Sequence, residues 1–143
     1  MSKLVLALTI GLALTTGCGG APRLAAGLAG DAALGNLGVH AAPIDLPGIF
    51  GGPVAAPTDA RCVGYFSAPP DVVLRPTDVS LHVHLESPDE ASLLVRDGSG
   101  TWRCADERTL TVSAEDARGA VRIWVGGRAP DALVEGRLRV ETR

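Results

Sequence analysis

From Arg61 onward, apolar residues return at every second position in short runs, and turns rich in Gly, Pro, Ser and Asp stop the runs. "VSLHVHLES" sets Val79, Leu81, Val83 and Leu85 against Ser80, His82, His84 and Glu86. Successive side chains of a strand point to opposite faces, so the pattern buries one face and wets the other. "TLTVS" alternates likewise. "AVRIWVG" puts Val121, Ile123 and Val125 on one side, and "ALVEGRLRVET" does so with Val134, Leu138 and Val140. "ASLLVR" and "TWRC" flank "DGSG", a hairpin signal because glycine supplies the positive φ of a tight turn. "CVGYF" is a further strand, ended by "SAPPD"; only "SAEDARGA" has helical composition, over too short a span to form an element. Roughly seven short strands between closely spaced turns predict an all-β domain, a small antiparallel sandwich or barrel, over residues 61–143.

The N-terminal part, residues 1–60, has a different composition. "MSKLVLALTIGLALTTGC" carries Lys3, then an apolar run from Leu4 to Leu14, then small residues up to Cys18. The run falls well short of the roughly 20 residues a bilayer span needs, and it fits the h-region of an export signal. Residues 19–60 are over half glycine, alanine and proline, and Arg23, Asp31, Asp45 and Asp59 are their only charges. Gly27, Gly30, Gly35 and Gly38 interrupt the leucines at 24, 28, 34 and 37, and Pro43, Pro47, Pro53 and Pro57 exclude helix further on. This composition predicts a disordered tether. Within it, "IDLPGIF" (Ile44–Phe50) is dense enough in apolar residues to be a partner-binding segment.

The junction Gly17-Cys18 resembles the lipobox of bacterial lipoproteins. The resemblance implies cleavage after residue 17, a diacylglyceryl group on Cys18 and acylation (palmitate) of the new N-terminus. The residue after the cysteine is Gly19 rather than the aspartate that often marks inner-membrane retention, so the outer membrane is the expected address. Export places the chain where paired thiols oxidise. The chain has three cysteines. With Cys18 carrying lipid, Cys62 and Cys104 remain as a pair, and a bridge between them would be worth about 4 kcal/mol by chain-entropy reasoning.

"CVGYF…PPD", "SLLVRDGSGTWRCADE" and "GAVRIWVGG…GRLRVE", in that order, resemble the bacterial pre-peptidase C-terminal-like domain over roughly residues 62 to 141. The most specific pieces are Trp102-x-Cys104 after the glycine turn and Ile123-Trp124-Val125-Gly126. The resemblance implies a jelly-roll-like β-sandwich with a non-catalytic binding or stabilising role, and Cys62 and Cys104 occupy its two cysteine positions. The expected organisation is therefore a lipoprotein signal peptide (1–17), a lipidated linker (18–60) and a pre-peptidase C-terminal-like β-sandwich (61–143).

Candidate sites follow from residue types. Glu90, Asp97, Asp106 and Glu107 are oxygen ligands that adjacent loops would bring to a calcium ion, against the plainer reading of a solvated acidic rim. His82 and His84 share a strand face and are a candidate transition-metal pair, although alternation alone gives the same pattern. Trp124 lies out of phase with Val121, Ile123 and Val125; with Trp102 it is a candidate binding surface, against a role in covering the sheet. Residues 61–143 carry eleven arginines against thirteen acids, interspersed, which is no footprint for nucleic acid. Gly-x-Ser-x-Gly, His-Glu-x-x-His and a phosphate-cradling glycine loop are missing from the sequence. The expected function is non-catalytic binding of an envelope protein or polymer by a membrane-anchored sandwich. The alternative is a structural, calcium-stabilised module of an envelope complex; a small exported hydrolase stands third.

Overall fold

The computed structural model describes residues 36–37, 42–105 and 108–143. In chain order the strands begin with β1 (Asn36–Leu37), β2 (Ile44–Phe50), β3 (Val54–Ala55), β4 (Tyr65–Phe66), β5 (Val72–Pro76) and β6 (Leu81–Glu86). They continue with β7 (Ala91–Arg96), β8 (Trp102–Ala105), β9 (Thr109–Val112), β10 (Val121–Gly127) and β11 (Val134–Thr142). A single 3-10 turn, Thr58–Ala60, is the only helical element among the described residues. The protein is all-β, two sheets packed face to face.

The smaller sheet has the order β2-β11-β6-β9, with antiparallel neighbours throughout. In the larger sheet β8 pairs β7 and β7 pairs β10. The far edge of β10 is shared: Val121–Ile123 pair with β5, and Gly127 pairs with Tyr65 of β4. β3 extends the sheet beyond β4, and β1 lies parallel to β5.

The inward faces form one apolar core. Leu81, Val83 and Leu85 of β6 meet Leu138 and Val140 of β11 across the ladder, and Val72, Leu74, Leu93, Val95, Val121, Ile123 and Val125 face them from the other sheet. All of these are at most 2% exposed. At about 25 cal/mol per Å² of apolar surface removed from water, this interdigitated layer is the main force holding the sheets together.

The alternating runs of the sequence became strands as expected, but the domain starts earlier than Arg61. Ile44–Phe50 is β2, whose Phe50 belongs to the core while Ile44 and Leu46 pack against it. It is an edge strand in its sheet, where the missing N–H of Pro47 leaves no ladder bond broken. β3 and the 3-10 turn also fall in the stretch expected to be linker. The tether reading therefore gives way over residues 44–60: the alternate apolar side chains of 44–50 have a core to enter, and β3 and the 3-10 turn follow in the same folded unit. β5 was likewise hidden, since "VVLRP" follows two prolines and ends in a third. The signal peptide and Cys18 lie outside the described residues.

Candidate functional site

The outer face of the larger sheet is where the cysteine and tryptophan positions come together. Two rungs cross it. One contains Trp124, Leu94 and Cys104; the next contains Val73, Arg122, Arg96 and Trp102. Cys104 is bonded to Cys62, with 5.4 Å between the Cα atoms, so the expected disulfide is present. It ties the segment after the 3-10 turn down onto the sheet. Beneath that segment Ala60, Phe66, Leu94 and Trp124 form a second core, with Ala56, Cys62 and Trp102 packed against it. This second layer explains why β7 and β10 are buried on both faces and lose the simple alternation of the other strands.

Gly126 is the space for Phe66. A Cβ there would lie 2.5 Å from the Phe66 ring and 2.6 Å from the Tyr65 carbonyl oxygen. Trp124 does face away from the main core, but it is only 8% exposed under this cover. The binding surface centred on Trp124 is thus corrected: its indole is the floor of a second core. Trp102 is half-buried, its ring centroid 5.4 Å from that of Trp124, and the Arg96 guanidinium lies 5.4 Å from the Trp102 ring.

The polar side of the same rung is unusual. Arg122 and Arg96 are directly opposite each other on adjacent strands. Like charges in that position repel and destabilise a sheet. Arg96 leans over Trp102 and its Nε donates to the Gly100 carbonyl at 3.4 Å. The side chain of Arg122, half-buried, makes no hydrogen bond or ion pair among the described residues.

The hairpin "DGSG" closes differently from its sequence expectation. Gly100 has the positive φ (89°), but Gly98 is required by close approach: a Cβ there would sit 1.6 Å from the Arg118 carbonyl oxygen. Asp97 is 1% exposed. Its Oδ1 accepts from the Ser99 N–H (3.0 Å), the Ser99 hydroxyl (2.6 Å) and the Thr101 N–H (2.9 Å), and its Oδ2 accepts from Arg103 Nε at 2.8 Å. Arg103 continues to Asp116 at 2.8 Å, and Asp116 also accepts from the Ser113 hydroxyl. Burial acts to raise the Asp97 carboxyl, but the bonds from Ser99, Arg103 and Thr101 and the Arg103 charge outweigh it, leaving its pKa below the usual value.

These bonds bear on the calcium expectation. Asp97 spends both oxygens on protein donors. Glu90 precedes β7 and Asp97 follows it, so the two stand roughly 20 Å apart at the rise of a strand and do not share an ion. Glu90 instead lies 3.9 Å from Arg128. Asp106 and Glu107 are outside the described residues. Among the described residues, no three His, Cys, Asp or Glu side chains converge to hold a metal.

On the smaller sheet's outer face, His82 Nδ1 lies 3.2 Å from Thr111 Oγ1, and His84 Nδ1 lies 2.9 Å from Thr109 Oγ1. Both rings line a shallow groove of about 250 Å³ with Glu86, Arg139, Glu141 and Arg143.

One half-buried acid was not singled out by sequence reasoning. Asp71 Oδ2 accepts the Val125 N–H at 2.8 Å, filling the gap on β10 between its pairings with β5 and β4. Burial pushes its pKa up to about 6, against the opposing effects of the Val125 bond and of Ser67. Its only sequence signal was an aspartate directly before a strand.

The chain matches no protein-family model, no curated protein and no solved structure. The residues and their geometry therefore carry the functional argument alone.

Proposed function

We propose that this chain is an exported, lipid-anchored protein of the bacterial outer membrane, with a pre-peptidase C-terminal-like sandwich that binds an acidic envelope polymer or protein without catalysing a reaction on it. The observation that carries the binding reading is the rung Arg122–Arg96–Trp102: two arginines opposite each other across the ladder, Arg96 over the Trp102 ring and the half-buried Arg122 side chain with no partner among the described residues. An anionic group placed between them turns repulsion into two charge-assisted, fork-shaped contacts. The disulfide-held segment makes the floor rigid, so little ordering is required on binding. The anchor reading rests on Lys3, the apolar run and Gly17-Cys18, and a disulfide between the other two cysteines suits an oxidising compartment.

Amine-reactive crosslinkers are unsuitable, because Lys3 is the sole lysine and lies in the signal. A photo-crosslinking residue at Val73, in the same rung as Arg122, should give a specific adduct in intact envelopes, while one at Glu86 on the opposite sheet should not. Arg122→Glu should abolish the Val73 adduct. Equal labelling from both positions, or an adduct indifferent to Arg122→Glu, would reject this binding face. The mature mass tests the anchor separately: Cys18→Ser should remove the lipid mass, leaving only the salt-sensitive contact to hold the protein on envelopes.

A further inference from the structure

We propose that His82 and His84 form a two-nitrogen chelate for a transition-metal ion of the copper(II) class on the outer face of the smaller sheet. The site lies on a different sheet from the arginine rung and does not depend on the binding reading above. Two residues apart on one strand face, the histidine Cα atoms are separated by about 6.7 Å, a span that two imidazoles can close by leaning together over one ion. Each ring has its Nδ1 beside a threonine hydroxyl of the neighbouring strand, Thr111 for His82 and Thr109 for His84. When Nδ1–H donates to that oxygen, the imidazole is held in one tautomer and the lone pair rests on Nε2, the nitrogen left for the metal. An outer hydrogen bond on the second ring nitrogen is the usual device that orients a metal-binding histidine. Here it occurs twice, in register, on adjacent strands.

The charges lining the groove are balanced, Glu86 and Glu141 against Arg139 and Arg143, so the two ring nitrogens carry the site. Glu86 continues the row along β6, and Glu141 stands directly across from His82 on β11. Arg139 is held at 2.9 Å by Glu141, and Arg143 lies at the end of the groove. The pair supplies two nitrogens, and no third metal-ligating side chain converges on them among the described residues, so the remaining positions fall to water. Affinity with so few ligands follows the Irving–Williams order, which puts copper(II) above nickel(II) and zinc(II).

The test is titration of copper(II) sulfate into the purified full-length chain carrying an affinity tag without histidine. Binding is followed by calorimetry and by nitrogen couplings in the electron paramagnetic resonance spectrum. The expected result is one equivalent of copper with two nitrogen ligands, lost in His82→Gln and in His84→Gln. His40→Ala should leave binding unchanged, which separates this pair from the third histidine of the chain. Thr109→Ala with Thr111→Ala should weaken binding by about tenfold or more, an effect specific to tautomer and ring orientation. Unchanged thermal melts of the glutamine variants show that the sheet is intact. No binding by the wild-type chain, binding that survives loss of both histidines, or binding that disappears with His40→Ala would each overturn the proposal.

Discussion

At the scale of single residues, the carboxylates of Asp71 and Asp97 act in opposite directions. Asp71 has a raised pKa, so the folded chain keeps its proton up to about pH 6 while the unfolded chain loses it near the ordinary carboxylate value of 3.8. This group makes the fold less stable as pH rises from about 4 to 6. Asp71→Asn keeps an oxygen for the Val125 N–H and removes the titration. The melting temperature of the variant relative to wild type should climb across that window and level off above it, as read by thermal denaturation at a series of pH values. Asp97 is lowered, so its contribution is full above the ordinary carboxylate range and is lost as pH falls through its folded value. Asp97→Asn withdraws an acceptor from Arg103 and should destabilise by about 1–3 kcal/mol at neutral pH, measured by urea denaturation. Arg122 is the residue where function and stability part. Arg122→Ser removes a like-charge pair across the sheet and should raise stability by a few tenths of a kcal/mol, up to about 1, while weakening binding. Neither acid was legible in its role: a carboxylate before a strand or in a glycine turn reads as solvated until its donors are placed around it.

At the scale of elements, the disulfide and the glycine of β10 serve the same layer. Cys62 and Cys104, 42 residues apart, close the segment over Trp124. The Cys62→Ser, Cys104→Ser double variant should lose about 4 kcal/mol in denaturant titrations and gain tryptophan exposure, seen as a red-shifted emission. Gly126→Ala drives a methyl into Phe66 and should cost about 1–3 kcal/mol by overpacking. Strands covered on one side, such as β6 and β11, were legible because a period of two survives when one face meets water. β7 and β10 showed it less clearly because both of their faces are buried. β2 was hidden by its own turn formers: Pro47 and Gly48 suit an edge strand, yet in sequence they signal a linker. The pairing of Cys62 with Cys104 was legible from counting thiols; the tryptophan floor beneath it was not, because sequence phase gives the face of a strand and leaves open what covers it.

At the scale of the whole molecule, the sandwich offers two different outer faces. The smaller sheet presents a groove of mixed charge, and the larger sheet presents a sealed aromatic floor with two opposed arginines at its rim. Partner binding is assigned to the second face, because two like charges held opposite each other by a rigid sheet are costly to the fold and useful to an acidic ligand. The most direct test uses the Cys18→Ser chain, so that lipid contributes nothing, sedimented with isolated envelopes at increasing salt. The account predicts retention at low salt that declines as salt screens the contact, and loss of retention in Arg96→Ser with Arg122→Ser while the melting temperature holds or rises. Retention of the double variant equal to that of the parent chain would contradict it.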